Sequence, residues 1–272
     1  MSFVAGIDIG TRRTKAVLIP AENGAPPAEI FAQGSVPTRF DLADAAQRAL
    51  AEALEAAGAE RGEVAYLAAT GYGRYQAADR DIQITEITCH ARGAVALHPE
   101  LCTILDVGAQ NARAIRLAPS GRVLAFRMND KCASGAGRFI ERVARALEVE
   151  LDRVGPLGLQ AQKPCVISSI CAVLAESEVI NHVTNGESIP DILQGTHGSI
   201  ADRLASLVRQ VGLTAPFGLT GGVSQNLGLV QALRERLKMP IVLPEQAEFA
   251  GALGAALLGR LRLHKRGAVQ AA

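Results

Sequence analysis

The sequence predicts an α/β chain of two lobes, and three observations carry that prediction. The segment 3–19 reads as strand, Asp-x-Gly turn, strand, with Asp8 and Gly10 in the turn. The segment 103–117 repeats the design around Asp106 and Gly108. Aligned on the two aspartates, the glycine two residues on, the basic residue seven on (Lys15, Arg113) and the alanine eight on all coincide. The third observation is the turn Thr220-Gly221-Gly222, set between an apolar strand and a helix. Such hairpins are common singly, whereas duplication points to two related units.

The intervening elements follow from periodicity and punctuation. Residues 42–57 form an alanine-rich helix stopped near Gly58, and 64–70 a strand entering the turn Thr70-Gly71-Tyr72-Gly73-Arg74. In 201–211, Leu204, Leu207, Val208 and Val211 share a helical face. After the third turn, Leu229, Leu233 and Leu237 recur at fourfold spacing. Phe139, Val143 and Leu147 mark a helix in the middle of the chain, Val166-Ile167 a short strand, and 248–263 a last helix with Gly251, Gly254 and Gly259. The expected division is a first lobe over 1–100, completed by the returning helix 248–263, and a second lobe over 101–247.

Composition narrows the function. A formal net charge of +1, with no tryptophan and 4% aromatic residues, supplies neither a basic field nor a stacking surface for nucleic acid. The first residues lack the basic region of a signal peptide, and the apolar stretch 250–259 is too short to span a bilayer. The expectation is a soluble, cytoplasmic protein with no nucleic-acid or membrane partner. Five cysteines, Cys89, Cys102, Cys132, Cys165 and Cys171, are an odd number and do not suggest a disulfide framework.

Two Asp-x-Gly hairpins facing across a cleft suit a magnesium–triphosphate. Glycine turns offer backbone N–H groups to phosphate oxygens. Thr11 adds a hydroxyl, Lys15 a point charge, and Asp8 and Asp106 are the carboxylates suited to hold Mg2+ through water or to orient the attacking water. Singly, each aspartate reads equally as a turn cap. The order Asp8-x-Gly10, Asp106-x-Gly108, Thr220-Gly221-Gly222 resembles the two phosphate motifs and the adenosine motif of the actin, chaperone and sugar-kinase superfamily. The resemblance implies an actin-like ATPase fold, two ribonuclease-H-like lobes around ATP. Gly10, Thr11, Arg12, Lys15, Gly108, Gln110, Thr220, Gly221 and Gly222 are the expected cofactor contacts, with Asp8 and Asp106 catalytic.

Cys132 and Cys171 each stand at or just before a helix start, where the helix dipole and free N–H groups favour a thiolate. Isolated cysteines in such places are commonly inert. A four-iron cluster needs four thiolates, so two per chain would imply a cluster bridging two subunits. Cys165 reads as core, and Cys89-His90 lacks the second pair that a metal site would need.

The segments 129–139 and 168–178, with Thr70-Gly71-Tyr72-Gly73-Arg74 and Thr88-Cys89-His90-Ala91, strongly resemble the family of 2-hydroxyacyl-CoA dehydratase activators and benzoyl-CoA reductase ATPase subunits. The resemblance implies that Cys132 and Cys171 ligate half of a [4Fe-4S] cluster shared between two subunits. It also implies that ATP hydrolysis drives electrons from a ferredoxin to acyl-CoA-reducing partner subunits. Arg12 and the turn Gly108-Ala109-Gln110-Asn111 depart from the usual pattern of the activators, while the segment 169–176 and the run Arg113-Ala114-Ile115-Arg116 look more like the shorter ATPase subunit of benzoyl-CoA reductase. The expectation is therefore a reductase subunit paired with a homologous ATPase subunit. The alternatives are a homodimeric dehydratase activator and, in another class, a sugar or N-acetylhexosamine kinase.

Overall fold

The computed structural model describes residues 1–22, 30–129, 137–168 and 172–270. The chain divides into two units, one comprising Met1–Leu101, Leu117–Leu124 and Pro244–Ala272, the other Cys102–Arg116 and Ala125–Leu243.

The first unit is built on strands β1 (Phe3–Ile9), β2 (Arg13–Pro20), β3 (Ala32–Pro37), β4 (Val64–Thr70) and β5 (Ile82–Gln83), in the sheet order β3-β2-β1-β4-β5. β1 is antiparallel to β2 and parallel to β4. Because side chains alternate along a strand, β1 splits into two faces. Phe3, Ala5, Ile7 and Ile9 pack against helix α1 (Leu42–Ala57), whose buried stripe is Ala45, Ala46, Ala49, Leu50, Ala53 and Leu54. Asp41 caps α1 at its start, and Gly58 ends it in a left-handed conformation with φ 62°.

Val4, Gly6 and Asp8 face the other way, toward helix α8 (Ala250–Gln270), where Val4 packs with Ala252, Leu253, Ala256 and Leu257. Each large apolar side chain buried there contributes roughly 1.5–3 kcal/mol. α8 lies directly on the strand at Gly6, where any side chain would strike its backbone at Ala252. Helix α2 (Glu86–Leu97) meets α8 just as closely, through Gly93 against the Ala250 carbonyl and Gly254 against the Cys89 carbonyl. Small residues thus draw two helices onto the face that carries Asp8.

The second unit carries β6 (Thr103–Val107), β7 (Ala112–Leu117), β8 (Val123–Met128) and β9 (Phe217–Thr220) in the order β8-β7-β6-β9. Its helices are α3 (Gly137–Ala146), α4 (Leu151–Gly158), α5 (Ala172–Thr184), α6 (Ile189–Val211) and α7 (Leu227–Leu237). The core joins Leu105, Val107, Ala112 and Ala114 of the sheet to Phe139 and Val143 of α3, Leu204 and Val208 of α6, and Leu229 and Leu233 of α7. Ser188 and Asn226 cap α6 and α7 through their side chains.

Two sequence expectations are corrected. The strand at Val166-Ile167 does not form, and Val166 is 86% exposed. The backbone there bonds elsewhere: Cys165 N donates to the Asp191 carbonyl and Ser168 N to Glu178 Oε2. No ladder partner remains for it. Cys165, expected in the core, is only partly buried. Among the described residues no helix is long and apolar enough to cross a membrane.

Candidate functional site

Each unit places its aspartate at the end of its central strand, beside a threonine at the end of the parallel neighbour. The registers are Asp8↔Thr70 and Asp106↔Thr220. In both cases the threonine is followed by a glycine with positive φ, 90° at Gly71 and 84° at Gly221. That conformation suits glycine. The space demands it as well. A Cβ on Gly71 would lie 2.5 Å from Asp8 Oδ1, and one on Gly221 would lie 2.7 Å from Asp106 Oδ1. The sequence shows Thr220-Gly221 as a motif, but only the register shows that Thr70-Gly71 is its counterpart.

The other carboxylate oxygen faces a basic side chain, and here the units differ. Arg113, directly opposite Asp106 in the hairpin, donates Nη1 to Asp106 Oδ2 at 2.7 Å. The pair is buried, with Asp106 1% and Arg113 5% exposed. Thr220 Oγ1 adds a 3.4 Å bond to Asp106 Oδ1. Asp106 thus helps to hold its own hairpin through Oδ2.

Lys15 sits opposite Asp8 in the same way, yet it turns elsewhere. Its Nζ donates to the Glu248 carbonyl at 2.7 Å and lies 5.8 Å from the centre of the Phe249 ring. The ammonium expected at a phosphate therefore ties β2 to the start of α8. The basic group near Asp8 is His90 of α2, with Nε2 3.7 Å from Asp8 Oδ2.

The Asp-x-Gly turns themselves are partly open. Gly10 and Thr11 are half-buried, Arg12 is exposed, and Gln110 is exposed in the second turn. Gly108 N closes that turn on the Asn111 carbonyl at 2.9 Å. After β9, Gly222 is exposed and has open space where a side chain would be. Within each unit the turn leaves backbone accessible, and the Asp8 side chain of the first unit is 14% exposed.

The two cysteines expected to ligate a cluster, Cys132 and Cys171, lie outside the described residues. Their flanks do not. On the chain before Cys132, Asn129 accepts from Ala112 N through Oδ1 at 2.7 Å and donates from Nδ2 to the Gln110 carbonyl at 3.3 Å. After it, Gly137 N donates to the Gly108 carbonyl at 2.9 Å and Arg138 N to the Ala109 carbonyl at 2.7 Å. Both flanks are bonded to the second Asp-x-Gly turn. Of the described cysteines, Cys89 is buried and its thiol is pushed up to about 12, mainly by desolvation. Burial also raises Cys165. No group of three or more His, Cys, Asp or Glu able to hold a metal occurs among the described residues.

Paired α/β units, each with an aspartate held by a Thr-Gly turn, make this the actin-like ATPase fold. Within that fold the chain belongs to the BadF/BadG/BcrA/BcrD ATPase family, whose model matches residues 5–259. It is 42% identical over 255 residues to the activator of lactoyl-CoA dehydratase of Anaerotignum propionicum, covering 94% of this chain and 96% of that one. One of the subunits of the benzoyl-CoA reductase of Thauera aromatica is 43% identical over 275 residues, covering 97% and 95%. The activator of the 2-hydroxyisocaproyl-CoA dehydratase from Clostridium difficile, solved with bound ADPNP, superposes with a TM-score of 0.91 at 36% identity, covering 97% of each chain.

Proposed function

We propose that this chain is the ATP-hydrolysing, electron-transferring subunit of a benzoyl-CoA reductase, working beside a homologous ATPase subunit. Electrons come from a ferredoxin and pass to acyl-CoA-reducing partner subunits. Cys132 and Cys171 would hold one half of a [4Fe-4S] cluster shared with the homologous subunit, and when bound it supplies a one-electron carrier. The nucleotide contacts are Gly10, Thr11 and Arg12 of the first turn, Gly108 and Gln110 of the second, and Thr220, Gly221 and Gly222. Mg2+ lies with the triphosphate, and Asp8 orients the attacking water. Asp106 serves by fixing its turn.

One observation carries this reading. The second Asp-x-Gly turn is bonded through Asn129 to the chain before Cys132 and through Gly137 and Arg138 to the chain after it. Whatever moves that turn when a triphosphate binds pulls on the segment bearing Cys132. A nucleotide and a redox centre are coupled only through an element that both distinguish, and this turn is such an element. A sugar kinase has no use for a tie between a phosphate turn and a cysteine segment.

A homodimeric dehydratase activator is the second reading, favoured by the lactoyl-CoA dehydratase activator's 42% identity. The two readings share the chemistry and differ in the partner, so native mass separates them. The chemistry is tested by anaerobic redox titration, followed by electron paramagnetic resonance, without nucleotide, with ADP and with ADPNP. The triphosphate analogue should shift the potential more than ADP does, about 59 mV for each tenfold change in equilibrium constant. A colourless assembled complex, or one potential in all three states, refutes the electron-transfer reading.

A further inference from the structure

The two aspartates are walled in by matched glycines, but their basic neighbours are not matched, and the difference concerns His90. α2 presents Cys89 to the buried contact with Ala68 and Ala255. The next residue points about 100° further round the helix. That turn brings the His90 ring to Asp8, where the two side chains are 6% and 14% exposed. The 3.7 Å separation is too long for a direct hydrogen bond but places the ring beside the carboxylate in a buried setting.

The surroundings fix the pair from both sides. A Cβ on Gly251 of α8 would lie 2.9 Å from His90 Cε1 and Nε2, and closer still to Asp8 Oδ2. Gly71 closes off Asp8 Oδ1. The carboxylate therefore has little room to rotate. An imidazole buried in a helix contact otherwise made by Ala and Gly costs desolvation unless it meets a polar partner. Here Asp8 is one such partner.

We propose that His90 is a positioning residue for Asp8. It holds the carboxylate against Gly71 in the orientation needed for ATP hydrolysis, without touching the nucleotide. In the second unit a permanent guanidinium grips Asp106 directly. In the first, a neutral-capable ring at longer range steadies Asp8 while leaving it able to accept from water. This inference rests on the ATPase reading above.

The test compares wild type, Asp8→Asn, His90→Leu and His90→Gln by steady-state ATP hydrolysis, by binding of a fluorescent ATP analogue and by thermal melting. Wild type should hydrolyse ATP and Asp8→Asn should lose most of that activity. His90→Leu should lower kcat about 10- to 100-fold. Its KM and analogue affinity should change less than about threefold, because the loss falls on the transition state. His90→Gln, which keeps a polar group beside Asp8, should recover most of kcat. If Asp8→Asn is inactive while His90→Leu turns over at the wild-type rate, the inference fails and the ATPase reading stands. It fails equally if both His90 variants lose activity and melting temperature together, which marks a purely structural ring. If wild type does not hydrolyse ATP, the ATPase reading fails and takes the inference with it.

Discussion

The Asp106–Arg113 pair offers a direct measure of how the second turn is held. Arg113→Met keeps much of the side-chain length and removes the charge. Asp106 is then a carboxylate 1% exposed that has lost its 2.7 Å bond from the guanidinium, while the 3.4 Å bond from Thr220 stays in place. A neutral bond of that kind contributes about 1 kcal/mol, whereas orphaning one member of a buried ion pair costs about 3–5 kcal/mol. That is a large part of the roughly 5–15 kcal/mol by which a domain is stable. Tyrosine fluorescence would not report it, since all three tyrosines, Tyr66, Tyr72 and Tyr75, belong to the first unit. Backbone amide exchange does. In β6, β7 and β9 the loss corresponds to exchange roughly 100- to 4,000-fold faster. The double variant Asp106→Leu/Arg113→Met removes both charges and should recover much of the protection. Acceleration below tenfold in the single variant, or a double variant as poor as the single, refutes the argument that an unpaired buried charge is what matters.

Two further predictions concern the same unit. Gly221→Ala should lower stability by at least about 1–2 kcal/mol, from a left-handed φ of 84° and a Cβ 2.5 Å from the Val107 carbonyl, whereas Gly222→Ala should cost little. Equal urea midpoints for the two would contradict the space argument. His197 is fully buried on α6, between Gly158 and Gly228, and desolvation lowers its pKa from 6.5 to about 4. The folded state disfavours protonation, so its contribution is fully present above about pH 6.5 and is lost as pH falls toward 4, by about 3 kcal/mol in all. Urea titrations of wild type and His197→Gln across that window should differ in slope with pH, and parallel profiles would show that the ring does not govern it.

What the sequence reveals depends on how local each signal is. The helix 42–57 is readable to the residue, because Asp41 and Gly58 cap it and alanines mark its buried stripe. The two Asp-x-Gly hairpins are readable because turn and flanking strands are contiguous. The equivalence of Thr70-Gly71 and Thr220-Gly221 is hidden because it lives in strand register, and a Thr-Gly pair ending a strand is its sole trace. The fates of Lys15 and Arg113 cannot be separated either. They occupy the same hairpin position, and what diverts Lys15 is a carbonyl 233 residues away. In the sequence Cys89-His90 reads as an adjacent pair that lacks the second pair a metal site would need. On a helix they point apart, one into the core and one at Asp8. The irregular run at Cys165 mimics a strand through its apolar content, while its backbone bonds go to α6 and Glu178.

The ties around Cys132 also limit how much the proposed coupling can deliver. Among the described residues, five hydrogen bonds join the turn to its flanks: Gly137 N and Arg138 N to the turn carbonyls, Asn129 N to the Ala112 carbonyl, Ala112 N to Asn129 Oδ1, and Asn129 Nδ2 to the Gln110 carbonyl. At about 1 kcal/mol each they transmit on the order of 5 kcal/mol before they break. For one electron that equals about 200 mV. A larger nucleotide-dependent shift would need another route from turn to cluster. A tie of this size is useful only if the turn moves as one piece, and a turn free to deform would dissipate the pull within itself. The buried Arg113 grip supplies that stiffness. The same fold position thus differs between the two units: Asp106 is gripped directly by a guanidinium at 2.7 Å, whereas Asp8 has an imidazole at 3.7 Å. Asn129→Ala separates these roles. It removes two of the side-chain bonds and leaves Asp8 and His90 untouched, so ATP hydrolysis should persist while the ADPNP-induced potential shift falls by about 40–80 mV. An unchanged shift would mean that the turn does not carry the coupling.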